Sequence, residues 1–209
     1  MDITHLCHAC VALTAQGRTL VLDPPDPGYG YAPAFPDTHY VCTTHDHRDH
    51  CATELLPGAQ ILPRQEGPII AGPFRVEAHR CFHDDRAGAL RGENWVYKIT
   101  ADNVTVLHLG DLGHMPDREL LRFAAGADLL LAPVGGCFTL EPEAMTEVIL
   151  ALAPRRVLPI HYRTPKCSLQ QLHPLDYFLA LWDSVCAPKP PLWVCGKALT
   201  LPEKGDSHG

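Results

Sequence analysis

The chain has 209 residues, 46% of them hydrophobic, and 24 acidic against 17 basic residues give a formal net charge of −7. This size and apolar content predict one domain with a sizeable core, over residues 1–203, and a disordered polar tail over residues 204–209. The excess of acidic residues disfavours a nucleic-acid partner. No apolar run approaches the roughly 18 to 20 residues that span a bilayer, and the N-terminus has no signal-peptide pattern. We therefore expect a cytoplasmic protein without membrane contact.

The first half of the chain is predicted to consist of strands joined by Gly/Pro turns. Alternating apolar and β-branched residues indicate strands at residues 3–13, 19–22, 40–43, 74–78, 95–99 and 104–109. The turn-forming residues 101–103 should join the last two strands in a hairpin. Residues 24–36 are rich in Pro, Gly and Tyr, which predicts a surface loop near the mouth of a pocket.

Helices are predicted only in the second half. Apolar residues recur at helical spacing within residues 116–125, 142–153 and 174–186, and the proline at each start suits the first helical position. Short apolar runs at 129–134 and 156–160 lie between these helices and predict buried strands. A closing hairpin about Gly196-Lys197 is predicted over residues 192–201. This alternation indicates an α/β fold.

The most informative segment follows the predicted strand at 40–43. His45, His47, Asp49 and His50 form an H-x-H-x-D-H pattern, with four metal-ligand side chains in six residues. Imidazole nitrogens and carboxylate oxygens bind Zn²⁺, Mn²⁺ or Fe²⁺, and a tight run on a turn can face two adjacent ions. Packing does not readily explain so dense a run.

Further ligand candidates lie at the ends of predicted strands, where open α/β sheets gather functional groups. Asp111 follows the strand at 104–109 between two glycines, and His161 follows the run at 156–160. For another ligand, His79 and His83 share strand parity and remain alternatives. We favour His83 because it opens a polar loop at a strand end.

The nine cysteines are scattered, odd in number and without secretory context, so we expect them to be mostly reduced and structural. Cys7-His8-Ala9-Cys10 is a C-x-x-C pattern that is typical of redox pairs and zinc knuckles. A four-cysteine zinc site needs two such knuckles, and the chain has no second one. The flanking apolar residues favour a strand here instead.

With these motifs the sequence resembles the metallo-β-lactamase superfamily, and within it the small lactonase-like metal-dependent hydrolases. The resemblance covers nearly the whole chain. It is carried by short segments at 7–9, 22–24, 44–50, 82–84, 91–94, 109–114, 133–136 and 160–162. The family usually has Gly before the early histidine, where this chain has Cys7.

The resemblance implies a four-layer αβ/βα sandwich with a two-metal site in the cleft between its halves. By the family's pattern one ion is held by His45, His47 and His83. The other is held by Asp49, His50 and His161, and Asp111 bridges the two. Zinc is the expected metal, with manganese or iron as alternatives.

Two such ions can share a hydroxide formed at neutral pH, which would attack a carbonyl or phosphoryl centre. Asp49 could orient this hydroxide or pass a proton, and Asp111 is the second expected catalytic residue. The cleft candidates for substrate binding are His8, Arg91, His114, Arg163 and Lys166. Surface charge or support of the ligands explains these five equally well.

The sequence therefore predicts a hydrolase of a small ester, lactone, thioester or phosphodiester, as a monomer or a homo-oligomer. A di-iron redox or metal-carrying module on the same fold is an alternative. Its relatives usually carry Glu where His47 stands and join a flavin domain, for which this chain has no room. A nucleic-acid phosphodiesterase is a further alternative, disfavoured by the acidic charge.

Overall fold

The computed structural model describes residues 1–194 and the strand Leu199–Thr200, arranged around two six-stranded sheets. The strands of the first sheet are β1 (Asp2–Cys7), β2 (Cys10–Ala15), β3 (Arg18–Leu22), β4 (Tyr40–Cys42), β5 (Gln60–Ile61) and β12 (Leu199–Thr200). Their order is β12-β1-β2-β3-β4-β5. The pairs from β12 to β3 are antiparallel, whereas β3, β4 and β5 run parallel.

The second sheet carries the helices. Its strands are β6 (Ile69–Ala71), β7 (Phe74–Phe82), β8 (Glu93–Ala101), β9 (Val104–His108), β10 (Leu129–Pro133) and β11 (Val157–Ile160), in the order β11-β10-β9-β8-β7-β6. The strands β9, β10 and β11 are parallel. Helix α1 (Arg118–Ala124) and helix α2 (Pro142–Leu152) connect them, and α3 (Leu175–Ser184) follows β11.

The main core lies between the two sheets, because each sheet turns its alternate apolar side chains towards the other. Leu13 and Leu20 from the first sheet meet Phe74, Ile99 and Leu131 from the second, and all are fully or almost fully buried. The confirmed architecture is the α/β sandwich that the resemblance implies.

The outer faces of the two sheets are covered differently. On the second sheet, Leu120, Met145 and Phe178 of the three helices pack on strand residues such as Leu107 and Leu130. On the first sheet, the cover among the described residues comes from loops and a short 3-10 helix at Thr53–Leu55. No helix within the described part of the chain is long and apolar enough to cross a membrane.

Several predicted elements are confirmed, and several bounds are wrong. The hairpin of β8 and β9 forms about Asp102 and Asn103, both at positive φ, as predicted. Residues 3–13 form two strands rather than one, since His8 adopts φ 49° and reverses the chain. Strand β7 continues to Phe82 because β8 pairs along its whole length.

The helix starts differ from the prediction in two of three cases. Pro142 occupies the first turn of α2 as predicted. In α1, however, Asp117 is the N-cap and accepts a hydrogen bond from the Leu120 amide, so Pro116 lies outside the helix. In α3, Pro174 is itself the N-cap.

The predicted C-terminal hairpin is placed only in part, because its turn at Gly196-Lys197 and the tail at 204–209 lie outside the described residues. Leu192 forms a bridge with Val157 in the second sheet, whereas Leu199–Thr200 pair with β1 in the first.

The eight described cysteines carry free thiols, which agrees with the prediction of reduced cysteines. Cys7 and Cys10 face each other across the turn between β1 and β2. Burial raises the pKa of the Cys10 thiol well above its usual value, so this thiol stays protonated and weakly nucleophilic.

Candidate metal centre

The predicted ligands converge at one end of the sandwich, because each follows a strand that ends there. The segment His45 to His50 follows β4, His83 follows β7, Asp111 follows β9 and His161 follows β11. The carboxyl ends of parallel strands lie at the same edge of a sheet, which explains the meeting of Asp111 and His161.

The Asp111 carboxylate stands at the centre of this convergence and is 2% exposed. Its Oδ2 lies 3.2 Å from His83 Nε2, 3.2 Å from His161 Nε2 and 3.8 Å from His45 Nε2. Its Oδ1 lies 3.4 Å from His50 Nε2. Four imidazoles from three chain segments therefore surround one carboxylate.

The candidate ligand atoms form three overlapping groups, within each of which they lie no more than 4.8 Å apart. One group is His45, His47 and His83, and another is His45, His50 and Asp111. The last contains Asp49, His50 and His161, and it also includes His8. The structure thus brings together all seven predicted ligands and adds His8 beside them.

Several polar atoms of this cluster are buried and make no hydrogen bond. They are His45 Nε2, His50 Nε2, His161 Nε2 and Asp111 Oδ1. Buried polar atoms are nearly always satisfied, so a concentration of unsatisfied ones at one point indicates a missing partner. Imidazole nitrogens and a carboxylate oxygen are donors that divalent transition metals prefer, and the residues fit such ions.

The electrostatics of the cluster also favour cations. Burial alone would raise the pKa of Asp111, but His161 and His50 hold it well below its usual value. Burial alone would lower the pKa of His161, whereas Asp111 and Asp49 raise it to about 9. The carboxylates are therefore ionised, and they draw positive charge into the site.

Asp23 supports the cluster from behind and is fully buried at the end of β3. Its Oδ1 accepts a hydrogen bond from the Thr44 amide at 2.7 Å, and its Oδ2 accepts one from the Thr44 hydroxyl at 2.7 Å. The same Oδ2 lies 2.8 Å from His50 Nδ1. This contact directs His50 Nε2 towards Asp111 and fixes its tautomer.

Asn94 and Gly110 place Asp111. Asn94 Oδ1 accepts a hydrogen bond from the Asp111 amide at 2.9 Å, and its Nδ2 donates to the Leu109 carbonyl at 2.9 Å. Gly110 has φ 56°, and a Cβ there would lie 2.3 Å from Asn94 Oδ1. Only glycine lets the chain turn this tightly against the asparagine.

His8 lies next to Asp49, in the turn between β1 and β2. Its Nε2 is 3.3 Å from Asp49 Oδ2, and its carbonyl accepts a hydrogen bond from the His161 amide at 3.1 Å. Burial, together with the charge of His161, lowers the pKa of His8 to about 4. A neutral His8 can donate one proton to Asp49 and hold that carboxylate in place.

The structure separates the alternatives His79 and His83. His83 contacts Asp111, and its ring centroid lies 4.7 Å from that of His45. His79 points to the helical face of the second sheet, where it stacks on Phe123 of α1 at 5.4 Å. His79 is thus remote from the cluster, and His83 is the histidine that joins it.

The open side of the cluster is a cleft of about 480 Å³. Its lining consists of Tyr29, Asp46, His47, Arg48, Asp49, His83, Arg91, Asp111, Phe138, His161 and Leu169. Of the five predicted substrate-binding residues, Arg91 lines this cleft. His8 and Lys166 line a neighbouring cavity of about 420 Å³.

His114 and Arg163 do not line this cleft. His114 Nε2 accepts a hydrogen bond from the Phe82 amide at 3.3 Å, and its Nδ1 lies 2.9 Å from the Met115 carbonyl. Arg163 Nη1 donates to the Gln170 carbonyl at 3.0 Å. Both side chains are engaged in local loop structure, which their sequence positions alone do not reveal.

Comparison with known families decides the affiliation. The family model of the β-lactamase superfamily domain matches residues 2–161. The chain belongs to the metallo-β-lactamase superfamily. Among its curated relatives, a UPF0173 metal-dependent hydrolase of Methanoculleus marisnigri is 35% identical over 195 residues, which cover 82% of this chain and 85% of the relative. A homologue of the same name from Methanospirillum hungatei is 32% identical, with 78% and 84% covered. This metallo-β-lactamase-superfamily chain is thus a metal-dependent hydrolase.

Solved structures of other proteins share its fold. A member of the metallo-β-lactamase superfamily from Thermotoga maritima is 28% identical with a TM-score of 0.69, covering 93% of this chain and 99% of that one. A metallo hydrolase from Ignicoccus hospitalis is 20% identical with a TM-score of 0.76, covering 97% and 99%.

Two of the residues that support this metallo-β-lactamase site, Asp23 and Asn94, lie in segments that carry the family resemblance, but the sequence assigned no role to them or to His108. Asp23, Asn94 and His108 occupy no dense motif, and each acts through a contact distant in sequence. The available signal was the position of Asp23, a charged residue directly after an apolar strand. His108 is the last residue of an apolar strand. Its Nε2 lies 3.1 Å from the Ala9 carbonyl, and its Nδ1 accepts a hydrogen bond from the Gly110 amide.

Proposed function

We propose that this protein is a two-metal hydrolase of a small substrate with an ester, lactone, thioester or phosphodiester bond. The observation that carries the proposal is the position of the buried Asp111 carboxylate, within 3.2–3.8 Å of four histidine nitrogens. A carboxylate so placed can contact two ions at once.

In this proposal His45, His47 and His83 would hold one ion, Asp49, His50 and His161 would hold the other, and Asp111 would be shared between them. Nitrogen and oxygen donors suit zinc, with manganese and iron as alternatives. The Thermotoga maritima relative is presented as a candidate Zn-dependent hydrolase, which supports zinc.

When bound, such ions supply a water-derived nucleophile at neutral pH and polarise the substrate oxygen. The chain's own residues provide the rest. The nearby imidazoles of His161 and His8 outweigh burial and keep the pKa of Asp49 below its usual value. Asp49 therefore faces the cleft as a carboxylate that can orient the attacking water or accept its proton.

A small molecule is favoured over a nucleic acid. The cleft of about 480 Å³ has the size of a small-ligand pocket, and the chain carries a net charge of −7. The structure of human tRNase Z, short form, is 13% identical with a TM-score of 0.62, and this likeness concerns the fold alone.

The test is a panel of lactones, thioesters, esters and phosphodiesters, assayed on protein of known metal content. The Asp111→Asn variant is assayed beside it. We expect the native protein to turn over at least one class and the variant to lose at least about a hundredfold in rate, since removal of a group at the reacting centre costs several kcal/mol. Equal activity of the two proteins would refute the role of Asp111 and the two-metal proposal.

A further inference from the structure

Two arginines line the cleft, and their charges are balanced differently. Arg48 Nη2 lies 2.5 Å from Asp26 Oδ2 and 2.6 Å from Glu54 Oε1, so its charge is neutralised by its own partners. Asp46, which also lines the cleft, is paired with Arg64 at 2.8 Å. Within residues 1–194, Arg91 has no carboxylate partner for its guanidinium.

The Arg91 side chain is held at the cleft wall by weak contacts that leave most of its donors available. Its Cζ lies 5.7 Å from the centre of the Phe138 ring, within the range of a cation–π contact. Its Nη2 donates to the Cys137 carbonyl at 3.4 Å, a long hydrogen bond. An arginine has five N–H donors in a planar fork, which matches the geometry of a carboxylate or phosphate.

The backbone of Arg91 is fixed by a loop that begins at the site itself. Asp84 follows His83 directly and is 2% exposed. Its two carboxylate oxygens accept hydrogen bonds from the amides of Arg86, Gly88, Leu90 and Arg91 at 2.8–2.9 Å. One buried side chain thus sets the distance between the His83 end of the cluster and Arg91.

Apart from Arg91, the candidate metal ligands and the ion-paired Asp46 and Arg48, the cleft wall is apolar or aromatic. Tyr29, Phe138 and Leu169 line it together with Arg91. A ligand that fills this cleft would place an apolar portion against these side chains and an anionic group on the guanidinium, with its reactive bond towards Asp111.

We propose that Arg91 binds an anionic group of the substrate, a carboxylate or a phosphate, and that the enzyme selects anionic over neutral substrates. This inference rests on the proposed function and names its substrate class. It identifies Arg91 as the specificity-determining residue of the cleft, whereas Arg48 serves the surface ion pairs.

The kinetic test compares two esters of equal length, 4-nitrophenyl pentanoate and mono-4-nitrophenyl glutarate. They differ in a terminal methyl group against a terminal carboxylate. We expect the native enzyme to show a higher kcat/KM for the glutarate ester. In Arg91→Gln the ratio of the two kcat/KM values should fall about tenfold or more, and Arg91→Lys should restore part of it.

The matched control is Arg86→Gln, an exposed arginine on the same loop that does not line the cleft. It should leave the ratio unchanged. A native preference for the neutral ester, or an equal ratio in the native enzyme and Arg91→Gln, would overturn the inference.

A binding test separates this inference from the proposed function. Pentanoate, butylphosphonate and 1-pentanol are titrated calorimetrically into the metal-loaded native protein, Arg91→Gln and Arg86→Gln. We expect the two anions to bind at least about tenfold more weakly to Arg91→Gln than to the other two proteins. The anion that binds with the higher affinity shows whether Arg91 prefers a carboxylate or a phosphate group.

The outcomes are distinguishable. Anion binding that depends on Arg91, without hydrolysis of either ester, would support the inference and count against ester hydrolysis. Hydrolysis of both esters, with anion affinities equal in all three proteins, would support hydrolysis and overturn the role of Arg91.

Discussion

Asp23 illustrates how one residue that faces away from the cleft controls the site. Three hydrogen-bond donors converge on its buried carboxylate, two from Thr44 and one from His50. Burial would raise the pKa of Asp23, but the charge of His50 and of His108 lowers it. The residue thus stays ionised and orients both the segment that begins at Thr44 and the candidate ligand His50.

The substitution Asp23→Asn is expected to lower the affinity for divalent metal about 10- to 100-fold, because an amide is a weaker acceptor and releases His50. Competition with a chromophoric chelator measures this affinity. Asp128→Asn is the matched control, since Asp128 is a buried carboxylate that accepts from the Thr105 amide at 2.9 Å outside the site. An equal effect of both substitutions would contradict the role of Asp23.

Gly113 supports the site by letting two loops touch. A Cβ at this position would lie 2.2 Å from the His83 carbonyl carbon. We expect Gly113→Ala to displace His83 and lower the bound metal per chain, as measured by elemental analysis. Gly58→Ala is the comparison, because Gly58 has φ 89° with nothing within 4 Å. Full metal content in Gly113→Ala would show that His83 does not depend on this contact.

At the residue scale the sequence predicted the convergence of the candidate ligands better than it predicted the residues around them. His45, His47, Asp49 and His50 form a local pattern whose spacing by itself indicates a metal site. The structure brings these residues together. Asp23 and Asn94 act through partners 17 to 27 positions away, at distances that no local pattern encodes. Their identification required the sheet pairings.

The loop over residues 84–91 is the element that joins the candidate ligand His83 to the cleft wall. Burial would raise the pKa of Asp84, but hydrogen bonds from the Arg91 amide and three others lower it to about 2. Because this folded-state pKa lies below the unfolded value of about 3.9, the stabilisation is complete above that value and is lost as the pH falls towards 2.

We therefore expect Asp84→Ala to loosen this loop at neutral pH. The amides of Arg86, Gly88, Leu90 and Arg91 should exchange at least about tenfold faster, because each loses a charge-assisted hydrogen bond. Hydrogen–deuterium exchange measures this rate, with Asp85→Ala, at an exposed neighbour, as the control. Unchanged exchange in Asp84→Ala would show that other contacts order the loop.

Whether a segment forms a helix or a strand was predictable where its hydrophobic periodicity extends over many residues. The first and last residues of the elements were not predictable in this way. The apolar stripe of α2 predicted its helix to within a residue. The reversal at His8 was missed, because its positive φ occurs without the Gly, Asn or Pro that marks most turns. The extension of β7 to Phe82 depends on pairing with β8, a contact outside the strand itself.

At the scale of the whole molecule, the two sheets carry candidate ligands from both halves of the chain. Bound ions would therefore stabilise the folded state as a unit. At a free ion concentration about 1,000 times the dissociation constant, the gain is about 4 kcal/mol, which corresponds to about 8 to 16 °C in Tm for a chain of this size.

Removal of metal with a chelator is expected to lower the Tm by that amount, and added Zn²⁺ should restore it. Differential scanning calorimetry with parallel metal analysis measures both. A Tm that stays constant while the metal content falls to zero would show that the site contributes nothing to folding.

The sandwich and the side on which the ligands meet followed from the family resemblance, which covers nearly the whole chain. The sequence alone predicted strands and helices but not which strands pair. The neighbours β3 and β4, for example, run parallel although a loop of 17 residues separates them. Such pairings depend on long-range packing that a local pattern does not contain.

The most direct test of the two-metal centre is anomalous X-ray diffraction from crystals of the metal-loaded protein, recorded at the absorption edge of the bound metal. Two peaks per chain are expected, about 3.5 to 4 Å apart, both beside the Asp111 carboxylate. One peak or none in fully loaded protein, or peaks remote from Asp111, His45 and His50, would contradict the account.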